Sequence, residues 1–132
     1  MQIVGLHHVS VVVADTRRSL AFYCGVLGLE QASYRPQLGF PGAWINLNGQ
    51  QIHLLELPNP DSVSERPEHV GRDRHFALLV SDLKPFSEAL SAAGVAVRFS
   101  RSGRRALFCR DPDGNGVELI EVGLSGVAKS PG

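Results

Sequence analysis

The stretch His8-Val9-Ser10-Val11-Val12-Val13-Ala14-Asp15 is answered 67 positions later by His75-Phe76-Ala77-Leu78-Leu79-Val80-Ser81-Asp82. Both octets read histidine, apolar, small, three aliphatics, small, aspartate. An aliphatic and β-branched run predicts a strand, and the closing aspartate is a good helix N-cap. Helical spacing follows each one: Leu20, Phe22, Tyr23 and Leu27 up to Gly28, then residues 83–93 up to Gly94. A second match runs at an offset of 65, where Ile52-His53-Leu54-Leu55-Glu56 pairs with Val117-Glu118-Leu119-Ile120-Glu121. The turn pairs Asn48-Gly49 and Asp113-Gly114 share that offset, so a single two-residue gap reconciles both alignments. Two matched segments in one order mark an internal duplication.

Strands are expected at 3–14, 29–35, 43–47 and 51–57, and again at 74–81, 95–101, 104–110 and 116–122. The pattern is β-α-β-β-β written twice, an α+β chain. Asn48-Gly49 and Asp113-Gly114 predict two-residue hairpins. Residues 1–122 are expected to form one domain, with module one at 1–57, a polar, proline-bearing linker at 58–73 and module two at 74–122. The Gly/Ser/Pro-rich tail 123–132 is expected to fray.

Composition narrows the function. A chain of 132 residues fits one domain of two half-sized modules, neither of which easily buries a core alone. Thirteen basic residues balance thirteen acidic ones, which excludes the broad positive field of a nucleic-acid or membrane-surface binder. No run approaches the length of a membrane-spanning helix, and the first residues lack a signal-peptide pattern. With only Cys24 and Cys109, reduced thiols in a cytoplasm are expected.

The duplication also sorts the polar residues. His8 is equivalent to His75 and His53 to Glu118, and all four are metal-ligating types in otherwise apolar strands. A lone strand histidine is usually structural, but four donors at equivalent places point to a metal. Three imidazoles and a carboxylate suit one divalent transition metal (Zn, Ni, Co, Mn or Fe(II)) better than Ca or Mg. Glu118 among Val117, Leu119 and Ile120 would be costly to bury unpaired. Glu56 and Glu121, three residues beyond their partners, are expected on the opposite strand face and in solvent. His7 has the wrong parity and aligns with Arg74, and His69 falls in the linker, so neither joins the set.

The string from His8 to Leu29, with His-x6-Asp, then Arg18-Ser19-Leu20-Ala21-Phe22-Tyr23 and Val26-Leu27-Gly28-Leu29, resembles the opening of the vicinal oxygen chelate superfamily. That group includes glyoxalase I, methylmalonyl-CoA epimerase, extradiol dioxygenases and the fosfomycin- and bleomycin-resistance proteins. The resemblance continues to Glu121, and Asp111-Pro112-Asp113-Gly114-Asn115 resembles the family's lead-in to its final ligand. It implies paired βαβββ modules forming an open mixed-sheet barrel around a metal, with His8, His53, His75 and Glu118 on the four ligand places. It also implies a small-molecule substrate, no nucleic-acid or membrane partner, and a homodimer.

His53 is a departure, since glyoxalase I carries glutamate and the epimerases commonly glutamine at that place. If His53 binds, the resemblance implies a lyase or isomerase acting through a metal-stabilised enolate, with Glu118 as plain ligand or proton shuttle. If it stands off, His8, His75 and Glu118 match an Fe(II) extradiol-type dioxygenase or a fosfomycin-type resistance enzyme. A bleomycin-type binding protein is disfavoured, because such proteins generally lack the ligands. No signature of a glutathione-conjugate site is visible. For substrate contacts the candidates are Arg35, Trp44, Arg101 and Arg104. The run from Arg101 to Arg105 could receive a carboxylate or phosphate, although a solvated hairpin tip is the commoner role for such a cluster.

Overall fold

In the computed structural model residues 1–123 are described, and the expected frayed tail lies, from residue 124 onward, outside the described residues. The chain divides into two compact units, Met1–Asp61 and Ser62–Gly132. Most of residues 58–73 therefore belong with the second unit.

In the first unit β1 (His8–Val13) leads into helix α1 (Thr16–Leu20), which continues as a π-helical stretch (Ala21–Val26). Asp15 caps α1 by accepting from the backbone N–H groups of Arg17 and Arg18, and Gly28 closes the helical run at φ 74°. Strands β2 (Glu30–Gln31), β3 (Gly42–Leu47) and β4 (Gln50–Glu56) complete a four-stranded sheet in the order β1-β4-β3-β2. β1 runs parallel to β4 and the other pairs are antiparallel. The Asn48-Gly49 turn has φ 43° and 88°, so both residues take the left-handed values that a two-residue hairpin demands.

The second unit repeats this plan. A 3-10 turn (Val70–Arg72) precedes β5 (His75–Val80), Asp82 caps α2 (Leu83–Ala92), and β6 (Arg98–Phe99), β7 (Ala106–Arg110) and β8 (Gly116–Glu121) follow. The sheet order is β5-β8-β7-β6, with β5 parallel to β8. The chain is thus α+β, two mixed four-stranded sheets of identical topology, as the duplication predicts.

Each sheet has one apolar face. In the first, Val11 and Val13 lie beside Ile52, Leu54, Ala43 and Ile45, all buried, with Phe22, Tyr23 and Leu27 as further buried residues of the unit. In the second the equivalents are Leu78, Val80, Val117, Leu119, Leu107 and Cys109, with Leu83 and Leu90 of α2 also buried. Each buried Val, Leu, Ile or Phe among them contributes on the order of 1.5–3 kcal/mol. Both cysteines are free thiols, and burial pushes the Cys109 thiol up to about 12, leaving it unreactive.

Several expected strands are shorter than their sequences suggest. Ile3, Val4 and Leu6 are exposed and lie outside the ladder, although residue 3 has the β-propensity of residue 9. The last contact on this side is the Gln51 N–H donating to the His7 carbonyl at 3.3 Å. β4 begins only at Gln50, so earlier residues have no strand in this unit to pair with. The run 29–35 keeps only two paired residues ahead of Pro36, which has no N–H to donate. Asp113-Gly114 is not a two-residue hairpin either. The Asp111 carboxylate accepts from the N–H groups of Asp113 and Asn115 and from the Asn115 amide, each at 2.9 Å, and organises the five-residue loop 111–115.

One ionic cluster holds the entry to β5. Asp73 accepts from Arg66, at 3.0 Å from its Nε, and from Arg110 Nη1 at 2.8 Å. The Arg66 hydrogen bonds hold the Asp73 carboxyl well below the usual carboxylate range, with Arg110 and the Arg74 N–H acting in the same direction against its burial. A depressed folded-state value means stability that is present above the unfolded value of about 4 and is lost as pH falls through the folded one. Asp73→Asn is therefore expected to lower the unfolding midpoint at pH 7 and to flatten its decline below about pH 4. Urea denaturation of both proteins across pH checks this.

Candidate metal centre

The face of each sheet opposite its core carries the polar residues the duplication singles out. Pairing register decides this. His8 lies opposite Gln51, and Ser10 lies opposite His53. In the second unit His75 lies opposite Gly116, and Ala77 lies opposite Glu118. In both sheets the second donor therefore sits two residues beyond the partner of the first, so the two share a face along the same diagonal. Trp44 lies opposite His53, and Phe108 lies opposite Glu118, so an aromatic flanks the second donor each time.

In the first unit these residues form a stack of rings. Trp44 lies parallel to His53 at 4.2 Å between centroids, and His53 stacks on His8 at 3.9 Å. His53 is buried, and its Nε2–H donates to the Gln51 side-chain carbonyl at 2.9 Å, which leaves Nδ1 as the nitrogen with a lone pair. Burial lowers the His53 pKa, with the neighbouring His8, His7 and Arg35 acting in the same direction, so the ring is neutral at pH 7. His8 is exposed, and its Nδ1 shares a hydrogen bond of 2.7 Å with His7 Nδ1.

In the second unit His75 Nδ1 donates to the Asp73 carbonyl at 2.8 Å, which turns Nε2 toward Glu118 Oε1 at 3.1 Å. Arg104 binds the other carboxylate oxygen at 2.7 Å. Glu118 is buried, and the Arg104 ion pair is what makes its charge tolerable. His69 is not a bare surface residue. Its ring accepts from the Gly71 N–H at the 3-10 turn and meets Phe108 edge-on at 5.2 Å.

The four donors thus stand as two pairs, one per unit, and among the described residues no three His, Cys, Asp or Glu side chains gather as a metal-holding group. The donor chemistry itself fits a divalent transition metal. Three ring nitrogens and a carboxylate are supplied, and the outer nitrogens of His53 and His75 are occupied by second partners, as metal-ligating histidines require.

The remaining candidates separate. Trp44 is half-buried and occupied on one face by His53. Arg35 lies over the Phe40 ring and donates to the Phe40 carbonyl at 3.0 Å, while its Nε is buried without a hydrogen-bond partner. Arg101 is an exposed residue of the turn between β6 and β7. Arg104 and Arg105 are not a solvated hairpin tip, because each engages a buried glutamate.

Glu56 and Glu121 take the opposite face as expected, yet neither is a solvent residue. Glu56 accepts from the Thr16 N–H at 2.8 Å, and Glu121 accepts from the Leu83 N–H at 3.1 Å, so each secures the start of its helix. Arg105 completes the pairing of Glu121 at 2.7 Å. Alternation finds the face but not the helix laid across it. The identical placing of the two glutamates in the repeat was the signal. The contacts of His7 with His8 and of Gln51 with His53 have no signal in the sequence, because residues beside a motif carry no pattern of their own.

The same fold occurs in known proteins. The model of the Glyoxalase/Bleomycin resistance protein/Dioxygenase superfamily matches residues 5–119. The chain is 33% identical to the Bacillus subtilis protein YwkD, over 92% of this chain and 99% of that one. It is 30% identical to lactoylglutathione lyase of Haemophilus influenzae, over 86% of this chain and 90% of that one. A crystal structure from Bacillus anthracis assigned to the glyoxalase family superposes with a TM-score of 0.75 at 25% identity, covering 92% of this chain and 97% of that one. The chain belongs to the Glyoxalase/Bleomycin resistance protein/Dioxygenase superfamily.

Proposed function

We propose that this superfamily member is a divalent-transition-metal enzyme of the glyoxalase type, acting on a small substrate with two adjacent oxygens by lyase or isomerase chemistry through an enolate. The carrying observation is the equivalence of the two donor pairs, His8 with His53 and His75 with Glu118, on one diagonal of two identically built sheets. These four residues would hold the metal, which when bound supplies Lewis-acid polarisation of the substrate oxygens.

The chain's own groups do the rest. Glu118, buried and acceptor-rich, would move the proton. Trp44 and Phe108 keep the surroundings of the second donors apolar and water-poor, which strengthens electrostatic interactions there. His53 favours the four-donor reading over an Fe(II) site of His8, His75 and Glu118, because it is stacked on His8 rather than set apart. The lyase relative points the same way. The protein is proposed to work in the cytoplasm as a homodimer. No described helix is long and apolar enough to cross a membrane, and both cysteines are free thiols.

Metal analysis and titration test this reading. Protein purified without a chelating tag is expected to carry about one transition metal per chain, and His8→Ala to lose it. Trp44 is the single tryptophan and stacks on His53, so Ni(II) or Co(II) binding is expected to change its fluorescence. Protein that stays metal-free after incubation with Zn, Ni, Mn and Fe(II) overturns the proposal. Full metal affinity in His53→Ala moves it to the three-donor enzymes.

A further inference from the structure

We infer that Arg104 is a displaceable counter-ion of Glu118, neutralising the buried carboxylate until a metal arrives and opposing metal uptake while it stays. The inference rests on the metal-site reading above and deepens it.

The Glu118 side chain is 5% exposed, and an isolated charge so placed is strongly destabilising. Its two oxygens are taken by His75 Nε2 at 3.1 Å and Arg104 Nη2 at 2.7 Å. Of the two partners only the guanidinium carries a permanent positive charge. The place equivalent to Glu118 in the first unit is occupied by His53, an imidazole rather than a carboxylate, whose side-chain partner is the uncharged Gln51. The arginine thus accompanies the one carboxylate among the four donors.

Arg104 is also built to leave. Its side chain is 52% exposed, so water receives the guanidinium at little cost once the ion pair opens. The neighbouring Arg105 is tied to Glu121 on the opposite face of the sheet, which anchors the hairpin backbone whether or not Arg104 is engaged. A divalent cation and a guanidinium on one carboxylate repel each other and compete for the same oxygen lone pairs. The chain can therefore fold with its glutamate compensated and exchange one positive partner for another.

The test compares wild type, Arg104→Ala and Arg104→Lys by calorimetric titration with Ni(II) and Zn(II), and by thermal unfolding with and without metal. Arg104→Ala is expected to bind metal about tenfold more tightly or better, with Arg104→Lys between it and wild type. Without metal, Arg104→Ala is expected to melt several degrees below wild type. Saturated with metal, the two are expected to melt together. A merely structural arginine would weaken metal binding on removal, so unchanged or weaker affinity in Arg104→Ala, with wild type still binding, overturns the inference alone. If neither wild type nor variant takes up metal, the metal-enzyme reading falls and this one with it.

Discussion

Glu118→Ala is expected to remove stoichiometric metal from the purified protein and to lower kcat/KM on the order of a thousandfold or more. The variant takes away the only anionic member of the donor set. It also takes away the proposed proton carrier, so binding and turnover should fail together. Glu118→Gln separates the two roles. Its amide keeps the volume and can still accept from Arg104 through its carbonyl, but it is a poor ligand and no base. If metal occupancy survives in Glu118→Gln while turnover falls, the carboxylate acts chiefly in proton transfer; if both fall together, it acts chiefly as a ligand. Metal content by elemental analysis and steady-state kinetics at saturating metal check both variants. Full activity in either one would remove Glu118 from the site.

Glu121→Ala carries the largest expected loss of stability, at a position expected from the sequence to meet solvent. Glu121 is 2% exposed. One oxygen accepts from the Leu83 N–H at the start of α2, and both accept from Arg105, at 2.7 and 3.3 Å. Removing the carboxylate forfeits charge-assisted hydrogen bonds, orphans a helix N-terminal donor and leaves a void. Arg105 itself can return to water, so the cost is expected to be about 2–4 kcal/mol rather than that of a stranded buried cation. In a chain of this size that is a fall in Tm of roughly 5–12 °C. Glu121→Gln, which keeps an acceptor for Leu83, is expected to lose about half as much. Calorimetry of both variants checks the ranking. A neutral Glu121→Ala would mean that the helix start is satisfied by water.

These two glutamates also show how far the sequence could be read. Both lie on β8, three residues apart, and period-two alternation assigns them correctly to opposite faces. The alternation rule says nothing about what covers each face. Glu121 looked like a solvent residue because α2, which buries it, is reached through a turn rather than through β8's own neighbours. The β6–β7 turn misled for a similar reason. Arg104 and Arg105 read as a charged tip, yet just ahead of β7 each meets a different buried carboxylate of β8, Glu118 and Glu121.

The duplication and the α+β plan were legible from residue order alone, and so was the equivalence by which the four proposed donors pair, His8 with His75 and His53 with Glu118. They depend on local periodicity and on recurrence at a fixed offset, and both are properties of a one-dimensional string. Where the ladders stop, which glutamate anchors a helix start, and which partners each imidazole meets were decided only by tertiary structure. Those outcomes turn on which strand exists to pair with and on contacts across 40 or so residues of chain, such as Thr16 with Glu56 and His75 with Glu118. A buried charge tolerates no position without its partner. The partner's place is set by packing, which the sequence specifies only through the completed fold.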